Sequence, residues 1–344
     1  MATEKTQKQH PGDHAAVPAL RVLAADQVRQ ALPMSVAIAA MRTAFAVLSD
    51  GEASMPQRTH IDMTDPPGTA LFMASALPTT GALGVKTVTL FGENRACGMP
   101  LLQGLFCLFE SRHGSPVAIL DAASLTALRT GAVSGLATDL LARPDAQNVT
   151  IFGAGVQGRT QLVAVSSVRP IRQATVCDVD SAAARCFADQ MSEELQLPVT
   201  VAGSSADAVH KADIICTATV AREPVFVDRD LPPGVHINAV GSYQPHVQEI
   251  PTATVQRARI VLDHRQSALA ETGDLLIPLA AGALTRDQLD AELGDVVTGK
   301  TVGRRAADEV TLFKSVGLAV QDLVAAQVAL TRAERQGLGT VVSL

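Results

Sequence analysis

One short segment near the middle of the chain restricts the possible folds most. A run of β-branched and aromatic residues at 149–152 leads directly into the turn Gly153-Ala154-Gly155-Val156-Gln157-Gly158, and a helical pattern follows at 159–168. A strand, a G-x-G-x-x-G turn and a helix in this order form the phosphate-binding start of a dinucleotide-binding unit. The glycines permit a tight turn, close approach of the backbone to a pyrophosphate, and close helix–strand packing. We therefore expect Gly153, Gly155, Val156, Gln157 and Gly158 to contact a dinucleotide.

The sequence around this turn extends the prediction to a whole domain. Short β-branched or apolar runs alternate with helical stretches, and the runs lie at 149–152, 174–177, 199–202, 214–217, 236–240 and 260–262. Such alternation predicts a parallel, doubly wound sheet with right-handed crossovers, which is a Rossmann-type α/β fold. The alternative, an ordinary glycine turn, does not account for the alternation.

The remaining sequence predicts a second unit of mixed structure. A chain of 344 residues exceeds the usual size of one hydrophobic core, which favours two domains that share a cleft. Residues 20–120 combine an early amphipathic helix with apolar, β-rich runs, as in an α+β domain. Helical periodicity predicts long helices over 125–141, with Ser124 as N-cap, and over 309–330. Residues 1–17 are polar without apolar periodicity, so we expect a disordered leader that is not a secretory signal.

Composition and charge limit the partners of the protein. Hydrophobic residues make up 47% of the chain and charged residues 18%, as in a well-buried globular protein. The net charge is −6 and no basic cluster is present, which argues against a nucleic-acid partner. The longest apolar stretch, 32–48, is interrupted by Pro33, Ser35 and Arg42, so an amphipathic helix is favoured over a membrane span. We expect a soluble protein with a small-molecule substrate.

The cysteine and histidine patterns bear on the compartment and on metals. The five cysteines are odd in number, scattered and without a C-x-x-C pair, which disfavours both a disulfide framework and a zinc site. The eight histidines show no spacing typical of metal ligands. We therefore predict a cytoplasmic protein with reduced thiols and no metal.

An acid after the second predicted strand of the Rossmann unit indicates the preferred dinucleotide. Asp178 lies twenty residues beyond Gly158, directly after the run 174–177. An acid at this place accepts hydrogen bonds from the adenosine ribose and repels the additional phosphate of NADPH. We therefore expect NADH to be favoured, with NADPH as the alternative. Asp180 is the fallback position, and a solvated loop acid is the structural alternative.

Several separated sequence blocks are specific enough to indicate a family. They are Met55-Pro56-Gln57-Arg58, Gly84-Val85-Lys86-Thr87-Val88, Leu125-Thr126-Ala127-Leu128-Arg129-Thr130, the glycine turn with Gln157, Glu271-Thr272-Gly273-Asp274 and Thr311-Leu312-Phe313-Lys314-Ser315-Val316-Gly317. In these blocks the chain resembles the ornithine cyclodeaminase and mu-crystallin family over most of its length. The resemblance implies an NAD(P)-binding Rossmann domain at 125–308, inserted into a substrate-binding and dimerisation domain made of 18–124 and 309–344. It also implies a homodimer.

One further block separates the activities within that family. The family includes ornithine cyclodeaminases, certain alanine dehydrogenases, and reductases of cyclic ketimines such as Δ1-pyrroline-2-carboxylate and Δ1-piperideine-2-carboxylate. Cyclodeaminases carry an Asp in a G-x-D-x-P-G-K-x-E stretch, whereas this chain has Gly241-Ser242-Tyr243-Gln244-Pro245-His246-Val247-Gln248-Glu249. Because a phenol titrates about six units above a carboxylic acid, Tyr243 cannot accept the proton of an amine substrate near neutral pH. The block resembles that of Δ1-pyrroline-2-carboxylate reductases, which implies reduction of cyclic ketimine acids to L-proline or L-pipecolate.

Such a reduction requires a grip on the substrate carboxylate and a proton for the ring nitrogen. The resemblance implies that Arg129 holds the carboxylate bidentately and that Arg58 is a second positive group; surface ion pairs are the alternative for both. Lys86, in the apolar run 85–90, is the leading proton donor, because burial beside two arginines should lower its pKa. A lysine that extends to solvent is the alternative. His246 is a second candidate acid.

The remaining site predictions concern the cofactor and the edge of the site. Thr130 is expected to reach a cofactor phosphate, and Ser315 to close the site over the nicotinamide ring. Residues at or after the carboxyl ends of later strands, where the nicotinamide half should lie, are Thr217, Thr219, Gly241 and Ser242. Glu271 and Asp274 resemble family positions near the site, although the structure of a glycine loop explains them nearly as well.

Two other functions stay open at this point. Ornithine cyclodeamination with recycled NAD is disfavoured by Tyr243. A non-catalytic protein similar to mu-crystallin, which binds a nucleotide and a small ligand, is disfavoured by the presence of Lys86 and Arg129. The ring size of the substrate does not follow from the sequence, since one methylene in a pocket contributes only about 1 to 3 kcal/mol.

Overall fold

Two β-sheets with helices packed on them make up residues 19–343, which are the residues that the structure, a computed structural model, describes. The predicted leader at 1–17 lies outside these residues. The strands are β1 (Ala19–Leu23), β2 (Thr59–Thr64), β3 (Pro67–Leu77), β4 (Ala82–Leu90), β5 (Leu102–Glu110), β6 (Pro116–Asp121), β7 (Asn148–Phe152), β8 (Gln173–Cys177), β9 (Val199–Val201), β10 (Ile214–Thr217), β11 (His236–Ala239), β12 (Arg259–Leu262), β13 (Ala291–Glu292), β14 (Thr311–Lys314) and β15 (Thr340–Ser343). The helices are α1 (Ala25–Ala31), α2 (Met34–Ser49), α3 (Ala122–Leu141), α4 (Val156–Ser166), α5 (Ser181–Leu195), α6 (Ser205–Val209), α7 (Thr252–Arg257), α8 (Arg265–Glu271), α9 (Gly273–Ala280), α10 (Leu293–Val297) and α11 (Ala319–Gln336).

The first sheet combines strands from both ends of the described chain. Its order is β15-β1-β6-β5-β4-β3-β2, with β2 to β6 antiparallel, β1 parallel to β6, and β15 antiparallel to β1. Helices α1, α3 and α11 pack on one face, and α2 packs on α3 and α11. Phe45, Phe106 and Leu323 belong to the core between them. This mixed unit agrees with the predicted α+β structure.

The second sheet confirms the predicted Rossmann-type α/β fold. Its eight strands are all parallel, in the order β13-β12-β14-β11-β10-β7-β8-β9. The chain runs from β7 to β8 and β9 on one side, and then returns to β10 on the other side of β7. The topological switch point therefore lies outside the carboxyl ends of β7 and β10, where open α/β sheets bind their ligands. The glycine turn follows β7 directly and leads into α4 at this edge.

Strand β14 differs from the predictions made for the end of the chain. The helix expected over 309–330 is wrong in its first part, which forms β14, and the helix begins only at Ala319. Because β14 pairs with β11 and β12, the parallel-sheet unit extends past the expected boundary at 308. β14 has only four residues, Thr311-Leu312-Phe313-Lys314, and all are buried, so it shows no alternating pattern that would distinguish it from the first turn of a helix. Phe313 packs in the core of the first sheet and Leu312 in that of the second, so β14 joins the two units.

The long helix α3 begins earlier than predicted. Its N-cap is Asp121, whose carboxylate accepts a hydrogen bond from Ser124 N at 2.7 Å. Ser124 therefore lies in the first turn of the helix, and the prediction of Ser124 as N-cap is wrong. Its hydroxyl accepts a hydrogen bond from Arg29 Nη1 at 3.0 Å instead. Both residue types favour N-caps, and the end of β6 places Asp121 at this position.

No helix among the described residues is by itself long and apolar enough to cross a bilayer. Helices α1 and α2 meet that criterion only as a pair, and they are bent by 77° at the break between them. The apolar side of α2, with Ala37, Met41 and Phe45, is buried in the core of the first sheet.

Candidate active site

The candidate active site lies where the carboxyl edge of the parallel sheet meets the first sheet. Strand β14 ends at Lys314, and the loop 315–317 leads from there to helix α11. The pocket beside this loop is lined in part by Arg58, Met73, His264, Glu271, Gly317 and Leu318. Met73 is the cross-strand neighbour of Lys86, and such neighbours lie on the same face of a sheet. The structure therefore places Lys86 beside the pocket.

A buried carboxylate holds two of the predicted substrate residues together. Asp322 on α11 has no exposed surface; its Oδ2 lies 2.7 Å from Lys86 Nζ and its Oδ1 lies 3.1 Å from Arg129 Nε. Lys86 belongs to β4 and Arg129 to α3, so three distant segments of the chain meet at this carboxylate. Lys86 is 1% exposed and Arg129 is 5% exposed, which excludes the surface alternatives for both residues.

Burial dominates the ionisation of Lys86. The pKa of Lys86 is lowered from 10.5 to about 7: loss of hydration is the largest cause, the Asp322 carboxylate opposes it, and the Arg129 and Arg58 guanidiniums add to the lowering. The direction agrees with the expectation from the sequence, but burial contributes more than either arginine. A lysine with this pKa can donate or accept a proton near neutral pH.

Arg58 borders the pocket from the segment before β2. Its Nη2 lies 2.8 Å from Glu271 Oε2 and donates to the carbonyl oxygens of Val316, at 2.9 Å, and Gly317, at 2.8 Å. Burial raises the pKa of Glu271, and the Arg58 guanidinium opposes that rise. The Arg58 side chain is 9% exposed and is therefore no surface ion-pair partner. Within residues 19–343, its Nε and Nη1 form no hydrogen bond.

Arg129 is more constrained than the sequence indicates. Its Nε donates to Asp322 and its Nη1 donates to Gln321 Oε1 at 2.9 Å, so Nη2 alone has no partner in the described part of the chain. The guanidinium lies against Gly317, where an added Cβ would come within 2.5 Å of Nη1. Gly317 also has a φ of +80°, a conformation that favours glycine. The loop 315–317 thus touches both arginines.

The glycine turn fits the pyrophosphate of a dinucleotide. Gly153 has a φ of +101°, and an added Cβ would come within 2.5 Å of the Ala218 carbonyl oxygen. Gly155 is exposed, and no atom lies within 4 Å of an added Cβ, so a phosphate can approach its backbone. A Cβ on Gly158 would collide with the Gly153 carbonyl oxygen, which reflects the close packing of α4 on the turn. No side chain caps α4, and its first amides are available to an anion.

The other residues predicted to contact phosphate surround this turn. Val156 is exposed and Gln157 is partly buried in the first turn of α4. Thr130 is partly buried on α3, one residue after Arg129. Helices α3 and α4 approach closely at the next position, Gly131, where an added Cβ would meet backbone of α4. Thr130 therefore lies beside Arg129 where α3 approaches α4, and its carbonyl oxygen accepts from Gln161 Nε2 of α4 at 3.4 Å.

Asp178 is fixed at the glycine turn. Its Oδ2 accepts a hydrogen bond from Ala154 N at 2.7 Å, and its Oδ1 accepts one from Asp180 N at 2.9 Å. The fallback residue Asp180 is the N-cap of α5, where it accepts from Ala182 N at 2.9 Å and Ala183 N at 3.1 Å. Asp178 is thus held by contacts with the turn, unlike a solvated loop acid, and Asp180 is engaged in capping.

A second buried carboxylate gathers the residues predicted to lie near the nicotinamide. Glu249 Oε1 accepts from Thr219 N at 2.8 Å and from Thr219 Oγ1 at 2.6 Å. Its Oε2 accepts from Thr217 Oγ1 at 3.1 Å and from Ser242 N at 3.0 Å, and a Cβ on Gly241 would collide with this carboxylate. The four predicted residues therefore lie together at the carboxyl ends of β10 and β11. The hydroxyls of Thr217 and Thr219 are used to hold Glu249.

Asp274 supports the same loop from behind. Its Oδ1 accepts from Glu249 N at 2.7 Å and Ile250 N at 3.0 Å, and its Oδ2 lies 2.7 Å from Lys314 Nζ. Neither Asp274 nor Lys314 has exposed surface. Loop structure therefore accounts for Asp274, whereas Glu271 lines the pocket itself.

Ser315, His246 and Tyr243 differ from one another in their burial. Ser315 is buried, and its hydroxyl donates to Asp263 Oδ2 at 2.8 Å. His246 is exposed in the loop after β11. Tyr243 is 41% exposed; burial raises its pKa, and the Arg58 guanidinium lowers it, which places the phenol near Arg58.

Sequence reasoning missed Asp322 and Asp263 and assigned no role to Glu249. Asp322 is the only acid between 316 and 333, in an otherwise largely apolar helical pattern. An isolated acid in such a helix indicates a buried, paired charge, and this signal could have identified it. Asp263 directly follows the buried strand β12, and Glu249 ends the block that contains Tyr243.

Known proteins resemble this chain over nearly its whole length. The family described as "Ornithine cyclodeaminase/mu-crystallin family" matches residues 20–337, and the chain belongs to that family. A Δ1-pyrroline-2-carboxylate reductase of Bacillus cereus is 37% identical over 319 residues, which cover 92% of this chain and 98% of the relative. The structure of Thermococcus litoralis Δ1-pyrroline-2-carboxylate reductase in complex with NADH and L-proline has a TM-score of 0.91 at 38% identity, and covers 94% of this chain and 100% of that one. An archaeal alanine dehydrogenase dimer with bound NAD has a TM-score of 0.88 at 29% identity, and covers 94% and 99%.

Proposed function

We propose that this member of the ornithine cyclodeaminase/mu-crystallin family is an NAD(P)H-dependent reductase of cyclic ketimine acids. Its substrate is Δ1-pyrroline-2-carboxylate, which it reduces to L-proline, and Δ1-piperideine-2-carboxylate is a second substrate that gives L-pipecolate. The observation that carries the proposal is the cluster of Lys86, Arg129 and Arg58 beside one pocket at the carboxyl edge of the Rossmann sheet. The similarity to two Δ1-pyrroline-2-carboxylate reductases supports the same reaction.

Two guanidiniums share the grip on the substrate carboxylate. In the described structure, Arg129 Nη2 and the Nε and Nη1 of Arg58 have no partner, and both residues contact Gly317. Because Asp322, Gln321 and Glu271 already hold the other nitrogens, little side-chain freedom is lost when the carboxylate binds. A carboxylate bound by both arginines accepts charge-assisted hydrogen bonds, which are stronger than neutral ones. The proposed grip differs from the bidentate grip by Arg129 alone that the resemblance implies, because Nε and Nη1 of Arg129 are already paired.

Lys86 supplies the proton that the ring nitrogen requires. A bound nicotinamide dinucleotide supplies the hydride to the carbon of the C=N bond. The Lys86 ammonium donates its proton to the nitrogen of that bond and becomes a neutral amine. Burial favours this neutral form and is the largest cause of the lowering of the Lys86 pKa to about 7. The Asp322 carboxylate, whose Oδ2 accepts a hydrogen bond from Lys86 Nζ at 2.7 Å, holds this nitrogen in place before and after it gives up the proton.

Position 243 separates reduction from cyclodeamination. Burial raises the pKa of Tyr243 above its ordinary value near 10, so the phenol stays neutral at physiological pH. A neutral phenol neither pairs with the side-chain ammonium of ornithine nor removes its proton. A cyclic ketimine has no such ammonium group and places no demand on this position.

NADH is the cofactor that Asp178 favours. Its carboxylate is held at the glycine turn by Ala154 N, close to where the adenosine ribose lies in Rossmann folds. An ionised acid accepts hydrogen bonds from ribose hydroxyls and repels a 2′-phosphate. The T. litoralis relative in complex with NADH is consistent with this preference.

The open face of the first sheet supports the proposal of a homodimer. Ile61, Phe72, Leu83 and Leu105 are exposed on that face, Leu105 by 53%. Phe72 and Leu105 lie on either side of Thr87 in adjacent strands, so these exposed apolar side chains share one face of the sheet. A group of exposed apolar side chains on one face is typical of protein interfaces. The related archaeal alanine dehydrogenase is described as a dimer.

The cysteines suit a reducing compartment such as the cytoplasm. All five are free thiols, and Cys97 and Cys186 are exposed. Exposed free thiols are typical of proteins that work under reducing conditions.

The substrate assignment is tested by NADH oxidation with five- and six-membered cyclic ketimine acids. We expect turnover with both rings in the wild type, and a fall in kcat of about a hundredfold or more in Lys86→Met, because the proton donor is lost. The Kd for NADH, measured by fluorescence titration, should change less than about twofold, since Lys86 contacts no part of the glycine turn. The exposed Lys211 gives the matched control, and Lys211→Met should retain wild-type kcat.

Three results would contradict this assignment. Equal kcat in Lys86→Met would remove Lys86 as the proton donor. Tight NADH binding without oxidation by any ketimine would favour a binding protein similar to mu-crystallin. Release of ammonia from ornithine would favour cyclodeamination.

The cofactor preference is tested with Asp178→Ala. Loss of the carboxylate removes the ribose contact and the repulsion of the 2′-phosphate, so the ratio of kcat/KM for NADH to that for NADPH should fall at least about tenfold. Asp180→Ala is the control; it should lower the free energy of unfolding by about 1 kcal/mol through loss of the α5 cap and leave the ratio unchanged. A changed ratio in Asp180→Ala alone would transfer the role to Asp180.

The dimer is tested by placing a charge on the open face of the first sheet. Leu105→Asp should convert the dimer to a monomer in sedimentation velocity, because an ionised carboxylate is costly to bury at an apolar interface. Val227→Asp, at a similarly exposed apolar residue outside this sheet, should leave the dimer intact. A dimer that persists in Leu105→Asp would argue against this face.

A further inference from the structure

Asp263 is a buried acid that holds the loop between the two sheets. It directly follows β12 and has no exposed surface. Its Oδ2 accepts three hydrogen bonds, from Ser315 Oγ at 2.8 Å, Val316 N at 2.8 Å and Gly317 N at 2.9 Å. Its Oδ1 accepts a fourth, from His264 N at 2.8 Å. The main-chain ladder of β14 ends at Ser315, so this carboxylate takes over the pairing of the next two amides.

Arg58 holds the same two residues from the other side. The carbonyl oxygens of Val316 and Gly317 both accept from Arg58 Nη2, at 2.9 Å and 2.8 Å. Val316 and Gly317 therefore donate to Asp263 through their amides and accept from Arg58 through their carbonyls. Among the residues described, Asp263 forms no ion pair, so it reaches Arg58 only through this backbone.

The loop also sets the position of the second arginine. The α-carbon of Gly317 lies against the Arg129 guanidinium, and its φ of +80° is fixed by the contacts on both of its peptide groups. A shift of this loop would therefore move the surface on which Arg129 rests. The same shift would alter the two acceptors of Arg58.

We propose that Asp263 is a positioning residue for substrate binding, which sets both arginines against the carboxyl edge of the Rossmann sheet through the loop 315–317. This inference rests on the proposed reduction of a ketimine carboxylate. Asp263 does not touch the substrate. It fixes the distance between the groups that hold the carboxylate and the edge at which the nicotinamide half of the cofactor lies.

An amide cannot replace this carboxylate. If the oxygen of Asn faces the loop, its NH₂ group opposes His264 N, which is also a donor. If the oxygen faces His264 N, the NH₂ group opposes the three donors of Ser315, Val316 and Gly317. Either arrangement leaves donors without an acceptor in a buried site, so the loop has to move.

The test compares Asp263→Asn with wild type in steady-state kinetics on Δ1-pyrroline-2-carboxylate. We expect KM to rise at least about tenfold, as on weakening of a charge-assisted contact, with a smaller change in kcat. The Kd for NADH should stay within about twofold, since the glycine turn and Asp178 are untouched. The matched control is Asp290→Asn, at a surface acid on a neighbouring segment, which should leave KM unchanged.

If Asp263→Asn does not fold, a second variant tests whether the loop 315–317 positions the arginines. Gly317→Ala keeps the carboxylate but places a methyl group against Arg129, so KM should rise while the Kd for NADH is retained. An unchanged KM in a folded Asp263→Asn protein, or in Gly317→Ala when the first variant fails to fold, would overturn the inference and leave the proposed function intact. Absence of wild-type turnover would contradict the proposed function and this inference together.

Discussion

The ion pairs of one buried carboxylate determine much of this structure. Asp322 binds Lys86 and Arg129 with no exposed surface of its own, and removal of such charges from water costs several kcal/mol per ion. Short contacts of Asp322 with both Lys86 and Arg129 offset that cost. The three residues belong to β4, α3 and α11, so the site forms only when the first sheet is complete and α11 has returned to it. A Rossmann unit inserted in mid-chain satisfies this requirement, because it returns the chain to the first sheet through β14.

Other buried carboxylates accept hydrogen bonds from loops at the carboxyl edge of the parallel sheet. Where the strands end, the main-chain amides of the following loops lose their ladder partners and need other acceptors. Glu249 and Asp274 supply them beside β10 and β11, and Asp263 supplies them after β14. Glu249 and Asp274 order the loops that follow β10 and β11, whereas Asp263 orders the loop 315–317, which contacts Arg58 and Arg129.

The sequence predicted the parts of this arrangement that depend on local pattern. The glycine turn, the parallel sheet and the burial of Lys86 each follow from short segments, and the structure agrees with them. Prediction from the sequence failed where contacts between distant parts of the chain determine the structure. β14 was predicted as helix because a four-residue strand buried on both faces shows no alternating pattern, and Ser124 was predicted as the cap because Ser favours that position, whereas the N-cap is Asp121 at the end of β6. The hydrogen bonds of Thr217 and Thr219 to Glu249 depend on residues that are thirty or more positions away.

The proposed control of the Lys86 proton by Asp322 is tested most directly by the pH dependence of kcat/KM for Δ1-pyrroline-2-carboxylate at saturating NADH. Lys86 must be protonated to act as the acid, so the wild-type profile should fall as pH rises through the Lys86 pKa of about 7. Asp322 raises that pKa, so the falling limb should move to lower pH in Asp322→Asn. A limb that stays at the same pH in Asp322→Asn, or a wild-type activity that increases with pH, would contradict the account.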